Sequence, residues 1–229
     1  MVYSELGRYP LKYTRTYNMI KYWSKLLVSS NCILKSCYEY MYDRVENYRE
    51  VNWVSFIKQE LLSLGFGEVW INQCTNKSHL EIIKQRIFDQ AQQTIRAQIE
   101  ASPKCILYKH LNDLFCIQYY LCKSLPLHLK KLIAKYRLSS HSLAIETGRY
   151  QATARNLRNC PKCNNDIEDE YHFVLKCPFY TDLRSKYVKP YYWKKPSVFK
   201  LVQLFSVRNV KQTYNLGQFL RHAGNLRIM

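Results

Sequence analysis

The chain has 229 residues, enough for one large domain or two of modest size. The mean hydropathy is −0.38 and no apolar stretch approaches the ~20 residues that cross a bilayer, which argues against a membrane-spanning protein. Lys and Arg number 35 against 17 Asp and Glu, for a formal net charge of +18 that predicts a polyanionic partner. Nucleic acid is the expected partner. An anionic membrane surface is the weaker alternative, because no segment combines a clean apolar face with a basic one.

Nine cysteines, an odd number, and the lack of an apolar run after Met1 predict a reducing compartment, nuclear or cytoplasmic, and not a secreted protein. Six of the cysteines lack a CxxC partner, stand among apolar residues and are predicted to be small core residues. These are Cys32, Cys37, Cys74, Cys105, Cys116 and Cys122.

Helical periodicity of apolar and aromatic residues runs through residues 10–47, with predicted breaks at Asn31 and Ser36. The next helix starts near Val51 and ends before Gly65, and Ser78 is the predicted cap of the one after it. The remaining helices are predicted at about 78–100, 104–122, 127–136, 138–147, 171–187, 197–206 and 212–223.

Apolar periodicity gives way to a basic stretch at Gly148, where the last helix of the first part is expected to end. Residues 1–147 are therefore predicted to form an α-helical bundle or array. Residues 148–229 are predicted to form a small zinc-stapled module with a short hairpin and helices, followed by a basic tail. The fold class is mainly α.

The most specific pattern is Cys160-x-x-Cys163, followed by His172 and Cys177. Three thiolates and one imidazole within eighteen residues are the ligand set of a tetrahedral Zn²⁺. Backbone N–H groups of a CxxC turn can hydrogen-bond to the thiolates. A site with four protein ligands leaves no position for a substrate, so the predicted zinc ion is structural.

The surroundings of this pattern suggest how the site is built. The turn residues Asn164-Asn165-Asp166 predict that the chain doubles back between the two ligand pairs. Phe173, Leu175 and Phe179 are predicted to form an apolar shell around the ion. With so little core of its own, the region is expected to need the ion to fold. The acidic residues 168–170 are predicted to favour the start of the following helix.

Basic and aromatic residues alternate near the metal motif and beyond it, and only Asp182 is acidic after Glu170. Lys and Arg neutralise phosphates, and exposed rings give unpaired bases a surface on which to stack. The alternative is a solvated lysine face with aromatic residues packed on the zinc module. The predicted nucleic-acid-binding residues are Arg149, Arg155, Arg158, Lys162, Arg184, Lys186, Lys189, Tyr191, Tyr192, Trp193, Lys194 and Lys195.

Several segments resemble the carboxyl-terminal region of LINE-type (non-LTR) retrotransposon reverse transcriptase polyproteins. The matching segments are Arg137–Glu146, Gly148-Arg149, the CxxC pair, Ile167–Cys177 and, less specifically, Glu5–Leu11, Gly65–Trp70 and Tyr191–Ser197. The resemblance implies that Cys160, Cys163, His172 and Cys177 are the zinc ligands. It also implies a role in gripping RNA and target DNA next to a polymerase.

The chain departs from that family by lacking the polymerase sequence Tyr/Phe-x-Asp-Asp. The nearest segment, Tyr40–Asp43, has a single aspartate, whereas two-metal nucleotidyl transfer needs several converging carboxylates. The expected function is therefore non-catalytic binding of RNA or of single-stranded or junction DNA. The alternatives are a scaffold that docks an acidic partner or a polymerase domain in trans and, last, an enzyme with an unrecognised site.

Overall fold

The structure is a computed structural model that describes residues 1–104, 106–111 and 115–228. Every regular element in these ranges is helical, which confirms the prediction of a mainly α fold. Two isolated antiparallel bridges, Leu6 with Ile117 and Asn159 with Ile167, complete the secondary structure of the described residues. No helix among them is both long enough and apolar enough to cross a membrane.

The α-helices of the described residues, in chain order, are α1 (Val2–Glu5), α2 (Leu11–Leu27), α3 (Cys32–Tyr48), α4 (Trp53–Ser63), α5 (Gly67–Ile71), α6 (Lys77–Ala101), α7 (Ile106–Leu111), α8 (Tyr119–Cys122), α9 (Leu127–Arg137), α10 (Ala144–Tyr150), α11 (Thr181–Tyr187), α12 (Pro190–Trp193), α13 (Val198–Phe205) and α14 (Val210–Ile228).

The chain divides into two compact units. The first unit is Tyr9–Ile95, and the second combines Met1–Arg8 with Arg96–Met229. The predicted boundary at residues 147 and 148 falls inside the second unit. Helices that precede this boundary, such as α7 and α9, contribute side chains to the same apolar core as the cysteine-rich segment, so the two segments form one unit.

The first unit is built around Trp23, which is fully buried on α2. Its indole stacks on Trp70 at 5.9 Å between ring centroids, and its Nε1–H donates to the Tyr38 hydroxyl at 2.8 Å. Asn31 caps α3, as the predicted break requires, by accepting a hydrogen bond from the Leu34 N–H. The core of this unit is thus aromatic, with its polar ring atoms satisfied internally.

Several local predictions are wrong for identifiable reasons. Ser36 lies within α3 and breaks nothing. Asn76, not Ser78, accepts the hydrogen bond from the His79 N–H at the start of α6. Gly148 lies inside α10, where the Arg158 side chain packs so closely that an added Cβ would approach its Cγ to 2.7 Å. That glycine is a packing residue, not a helix end.

The prediction of core cysteines is wrong for Cys32, Cys37, Cys74, Cys116 and Cys122, which are all exposed. Cys105 lies outside the described residues. Apolar neighbours misled the prediction, because the first turns of α3 also leave Ile33 (71%) and Leu34 (42%) exposed.

In the second unit, α9 and α14 pack closely because α14 carries a glycine at their contact. A Cβ added at Gly217 would lie 3.0 Å from the Cβ of Leu129. Phe219 of α14 is fully buried and its ring lies 6.1 Å from that of Phe173. Tyr136 of α9 stacks on the other side of the same cluster, 5.4 Å from Phe173 and nearly parallel to it. Phe173 therefore links the cysteine-rich segment to both helices.

A buried ion pair joins α1 to α9 in this unit. Glu5 and Arg137 are 2% and 1% exposed, and the Arg137 Nε–H donates to a Glu5 carboxylate oxygen at 2.6 Å. The same carboxylate accepts from the Tyr120 hydroxyl at 2.8 Å, and Arg137 also donates to the Phe205 carbonyl at 2.6 Å. Every charge in this network has a partner, which is the condition for burying it.

Removing one charge of this pair is predicted to destabilise the second unit strongly. Glu5→Ala leaves a buried guanidinium without its carboxylate and should cost about 3–5 kcal/mol of unfolding free energy, measured by urea denaturation. Glu50→Ala removes the partner of Arg44 from an exposed pair and should leave the urea midpoint unchanged. Equal midpoints for the two variants would contradict the structural role of the buried pair.

Candidate metal centre

The first ligand pair lies on a short hairpin. The bridge between Asn159 and Ile167 closes it, and the Cys160 N–H donates to the Asp166 carbonyl at 2.9 Å. The Asn164 N–H in turn donates to the Cys160 carbonyl at 2.9 Å. Asn164 has a φ of 55°, a left-handed conformation that asparagine tolerates better than most residues. The chain therefore reverses at Asn164, within the turn residues 164–166 where the sequence predicts it.

The second ligand pair lies on a π-helical turn, His172–Lys176, and not on the regular helix predicted over 171–187. On a regular α-helix, side chains five residues apart point about 140° away from each other. Here the Cys177 N–H donates to the His172 carbonyl at 2.7 Å, an i to i+5 bond that brings the two residues onto one side. Asp169 fixes the start of the turn by accepting from the His172 N–H at 2.8 Å. The wider turn lets both side chains face the hairpin.

Together the hairpin and the π turn bring all four predicted ligands into one cluster. One ligand atom from each residue lies within 4.8 Å of the others. The Cys160 and Cys177 sulfurs are 3.9 Å apart, and the Cys163 sulfur is 3.2 Å from His172 Nε2. Sulfurs bound at about 2.3 Å to a tetrahedral ion would lie about 3.8 Å apart, so the cluster can hold a metal ion with little rearrangement.

Burial favours the neutral forms of the ligand residues in this cluster. It raises the pKa of Cys177 to about 12 and also raises the pKa of Cys160, and it lowers the pKa of His172. Backbone N–H groups of Lys162 and Cys163 oppose the shift at Cys160 by hydrogen-bonding to its sulfur, as predicted for a CxxC turn. A divalent cation reverses the balance because it stabilises thiolate and neutral imidazole directly.

The histidine has a defined orientation. Nε2 faces the cysteines, whereas Nδ1 is buried without a hydrogen bond and lies 3.7 Å from Asp166 Oδ2. Lys176 donates to the same carboxylate at 2.7 Å and lowers its pKa. A carboxylate beside the non-ligating nitrogen is the usual outer support of a metal-bound histidine.

The apolar shell is only partly as predicted. Phe173 and Leu175 are 0% and 1% exposed and pack beneath the cluster, but Phe179 is 47% exposed and lies outside it. The expectation of little core is also wrong, because the cluster adjoins the main apolar core of the second unit.

The acidic residues after the hairpin bind specific partners and do not merely favour a helix start. Glu168 is fully buried and accepts two hydrogen bonds from Arg227, at 2.6 and 2.7 Å. Its carboxylate also accepts from the Ala144 N–H at 2.6 Å. Glu170 binds His141 at 2.9 Å. These contacts anchor the hairpin to α10 and α14.

The predicted nucleic-acid-binding residues do not form one exposed set. Arg155, Lys186, Lys189, Tyr191, Lys194 and Lys195 are exposed, whereas Arg149, Arg158, Lys162 and Trp193 are half-buried. The Arg158 guanidinium donates to the backbone carbonyls of Thr153 and Ile145, and Arg149 pairs with Glu146 at 3.2 Å.

Two of these predictions are wrong. Tyr192 is 9% exposed and packs in the core, so its ring is not available to a base. Arg184 is 3% exposed and donates to the carbonyls of Leu175 and Cys177. Neither residue can reach a phosphate while the unit is folded.

Arg184 instead acts beneath the metal cluster. No carboxylate pairs with it among the described residues, its Nε is buried without a hydrogen bond, and burial lowers its pKa. Three thiolates and a neutral imidazole around a divalent ion would carry a net charge of −1, which the Arg184 charge would offset. Sequence reasoning missed this role because the alternation of basic and aromatic residues does not reveal which cations are buried.

Comparison with known proteins gives no relative: no family model, curated protein or solved structure matches the chain.

A single ligand substitution is predicted to remove the metal ion. Cys177→Ser deletes a buried ligand and should abolish the one-to-one complex with a divalent ion in native mass spectrometry. Cys32→Ser changes an exposed cysteine outside the cluster and should bind metal as the wild type does. Retention of the ion by the Cys177 variant would contradict the site.

Removing the buried cation should weaken metal binding without removing a ligand. We expect Arg184→Met to lower the metal affinity about 10- to 100-fold, as other supporting residues of metal sites do. Arg184→Lys keeps the charge and should recover much of that loss in chelator competition. If both variants lost affinity equally, packing alone would explain the residue.

Proposed function

We propose that this chain is a non-catalytic, zinc-dependent nucleic-acid-binding module. The observation that carries the proposal is the placement of charge in relation to the metal cluster. The second unit, which contains the cluster, holds 24 Lys and Arg against 9 Asp and Glu, for a formal charge of +15 out of the total of +18. The first unit is nearly balanced, so the polyanion-binding surface belongs to the unit that the metal organises.

The positive charge of this unit lies partly on exposed lysines without ion pairs in the described part of the chain. Glu5, Glu146 and Glu168 of the second unit are all buried, and Glu5 and Glu168 are paired with arginines. Lys186, Lys189, Lys194 and Lys195 are exposed, and none of them has an ion pair within the described residues. A surface with free ammonium groups is suited to phosphate contacts.

Zinc is the ion that best fits the ligand set. Three soft thiolates and one imidazole in a tetrahedral arrangement favour Zn²⁺ over the oxygen-seeking Mg²⁺ and Ca²⁺. All four positions are taken by protein, which favours a structural ion over a catalytic one. A catalytic serine would need a histidine hydrogen-bonded to its hydroxyl. Ser139 and His141 do not meet this condition, because each of them binds Glu170.

The partner we propose is RNA, or DNA with a single-stranded or junction segment. Tyr191 is 55% exposed with the Lys200 ammonium 4.7 Å from its ring centroid, and Phe199 is 66% exposed. Aromatic rings of this kind stack on unpaired bases. The resemblance to the carboxyl-terminal region of LINE-type reverse transcriptases supports the same assignment and a nuclear or cytoplasmic location.

A specific observation also favours a second candidate, a scaffold that docks a polymerase domain or another protein in trans. On α3 of the first unit, Ile33, Cys37 and Tyr40 lie on one face and are all exposed. An apolar face of this kind is typical of protein contacts.

Salt dependence tests the nucleic-acid proposal. We measure binding of a 12-nucleotide single-stranded RNA by fluorescence anisotropy at several salt concentrations. In a plot of the logarithm of the binding constant against the logarithm of the salt concentration, the slope should fall by about 0.7 for each phosphate contact. Lys194→Ala combined with Lys195→Ala should reduce the slope by about 1.4 if each contacts one phosphate. Lys21→Ala with Lys25→Ala, two exposed lysines of α2, is the matched control and should leave the slope unchanged.

Metal removal is the second arm of the same test. Chelation should abolish RNA binding and make residues 156–190 sensitive to protease. A slope near zero, or full RNA binding by metal-free protein, would overturn the proposal and favour the scaffold.

A further inference from the structure

An aromatic residue close in sequence to the metal ligands has an exposed ring. Phe179 follows the ligand Cys177 by two residues, yet its side chain is 47% exposed. The Cys177–Tyr180 turn holds it there, since the Phe179 N–H bonds to the Cys177 sulfur and the Tyr180 N–H donates to the Cys177 carbonyl. The ring also packs edge-on against fully buried Tyr180, with centroids 5.1 Å apart and planes at 89°. It is therefore an exposed ring with a fixed orientation.

A cation from the other half of the metal centre lies over this ring. Lys162 stands between the two cysteines of the CxxC turn, and its Nζ is 5.4 Å from the Phe179 centroid. It forms no ion pair with a carboxylate in the described part of the chain. The metal ligands bring the two residues together, because Lys162 belongs to the hairpin and Phe179 to the turn after the π helix.

We propose that Phe179 and Lys162 form a binding site for one unpaired nucleotide, with the base stacked on the ring and the phosphate on the ammonium. This inference rests on the proposed nucleic-acid binding and names the form of the ligand, a single strand. A base paired in a duplex cannot present its face to the ring without leaving the stack. The site is therefore specific for single strands and does not distinguish between base sequences, since every base has a π face.

Two other kinds of ligand fit the pair less well. A free phosphate would use the ammonium alone and leave the ring without a role. A peptide aromatic residue could stack on the ring but would not use the positive charge of the unit. A nucleotide uses both groups.

The test compares normal and abasic single strands of 12 nucleotides in fluorescence anisotropy. Phe179→Ala should weaken binding of the normal strand about 5- to 150-fold, the loss expected for one stacked base. The same variant should bind the abasic strand as the wild type does. Lys162→Ala should weaken binding of both strands and reduce the salt slope by about 0.7.

Controls separate stacking from folding and from the wider proposal. Phe56→Ala removes a phenylalanine of similar exposure (50%) from the first unit and should change nothing. Phe179→Leu keeps apolar bulk without the aromatic face and should lose affinity for the normal strand as the alanine variant does. Native mass spectrometry must show one metal ion in each variant.

The outcomes are distinct. If the wild type binds neither strand, the proposed function itself fails. If the wild type binds but Phe179→Ala matches Phe56→Ala, or loses affinity equally for normal and abasic strands, only the nucleotide site is overturned.

Discussion

The organisation of the second unit depends on three sulfurs and one imidazole nitrogen lying within 4.8 Å of one another in a nearly dry environment. Burial opposes ionisation of the thiols, and a bound cation would reverse this balance by stabilising the thiolates. An ion bound at this point would connect a hairpin that reverses the chain at Asn164 with a π turn that starts at His172. A bound ion would add a cross-link to the contacts of Phe173 and Glu168, which already attach these segments to the rest of the unit.

Buried charge of both signs surrounds this cross-link. Arg184 donates to the carbonyl of Cys177, and Glu168, which follows the hairpin, pairs with Arg227. Such groups are costly unless each has an opposite charge nearby. Each buried pair removes one charge of either sign from the surface, so it leaves the net charge of the unit unchanged. The basic character of the chain therefore comes from its excess of lysine and arginine over acidic residues.

The features that sequence alone could predict are local ones. The four ligands follow from residue type and short spacing, and helices such as α6 follow from a repeat of apolar residues every three or four positions. The π turn could not be predicted, because nothing distinguishes a five-residue interval on a π helix from one on an α-helix until the hydrogen bonds are known. Burial of Arg137 was also beyond reach, since its partner Glu5 lies 132 residues away. The same limit explains the errors at Arg184 and Tyr192, because the contacts that bury them cannot be predicted from the adjacent residues.

The contact between Glu168 and Arg227 has a consequence for the order of events during translation. The two residues are 59 positions apart, so the hairpin leaves the ribosome before the guanidinium that balances its buried carboxylate exists. At about 5–20 residues per second, this interval lasts roughly 3–12 s. Until then the Glu168 carboxylate lacks its arginine partner, so complete burial of this side chain has to await the synthesis of α14.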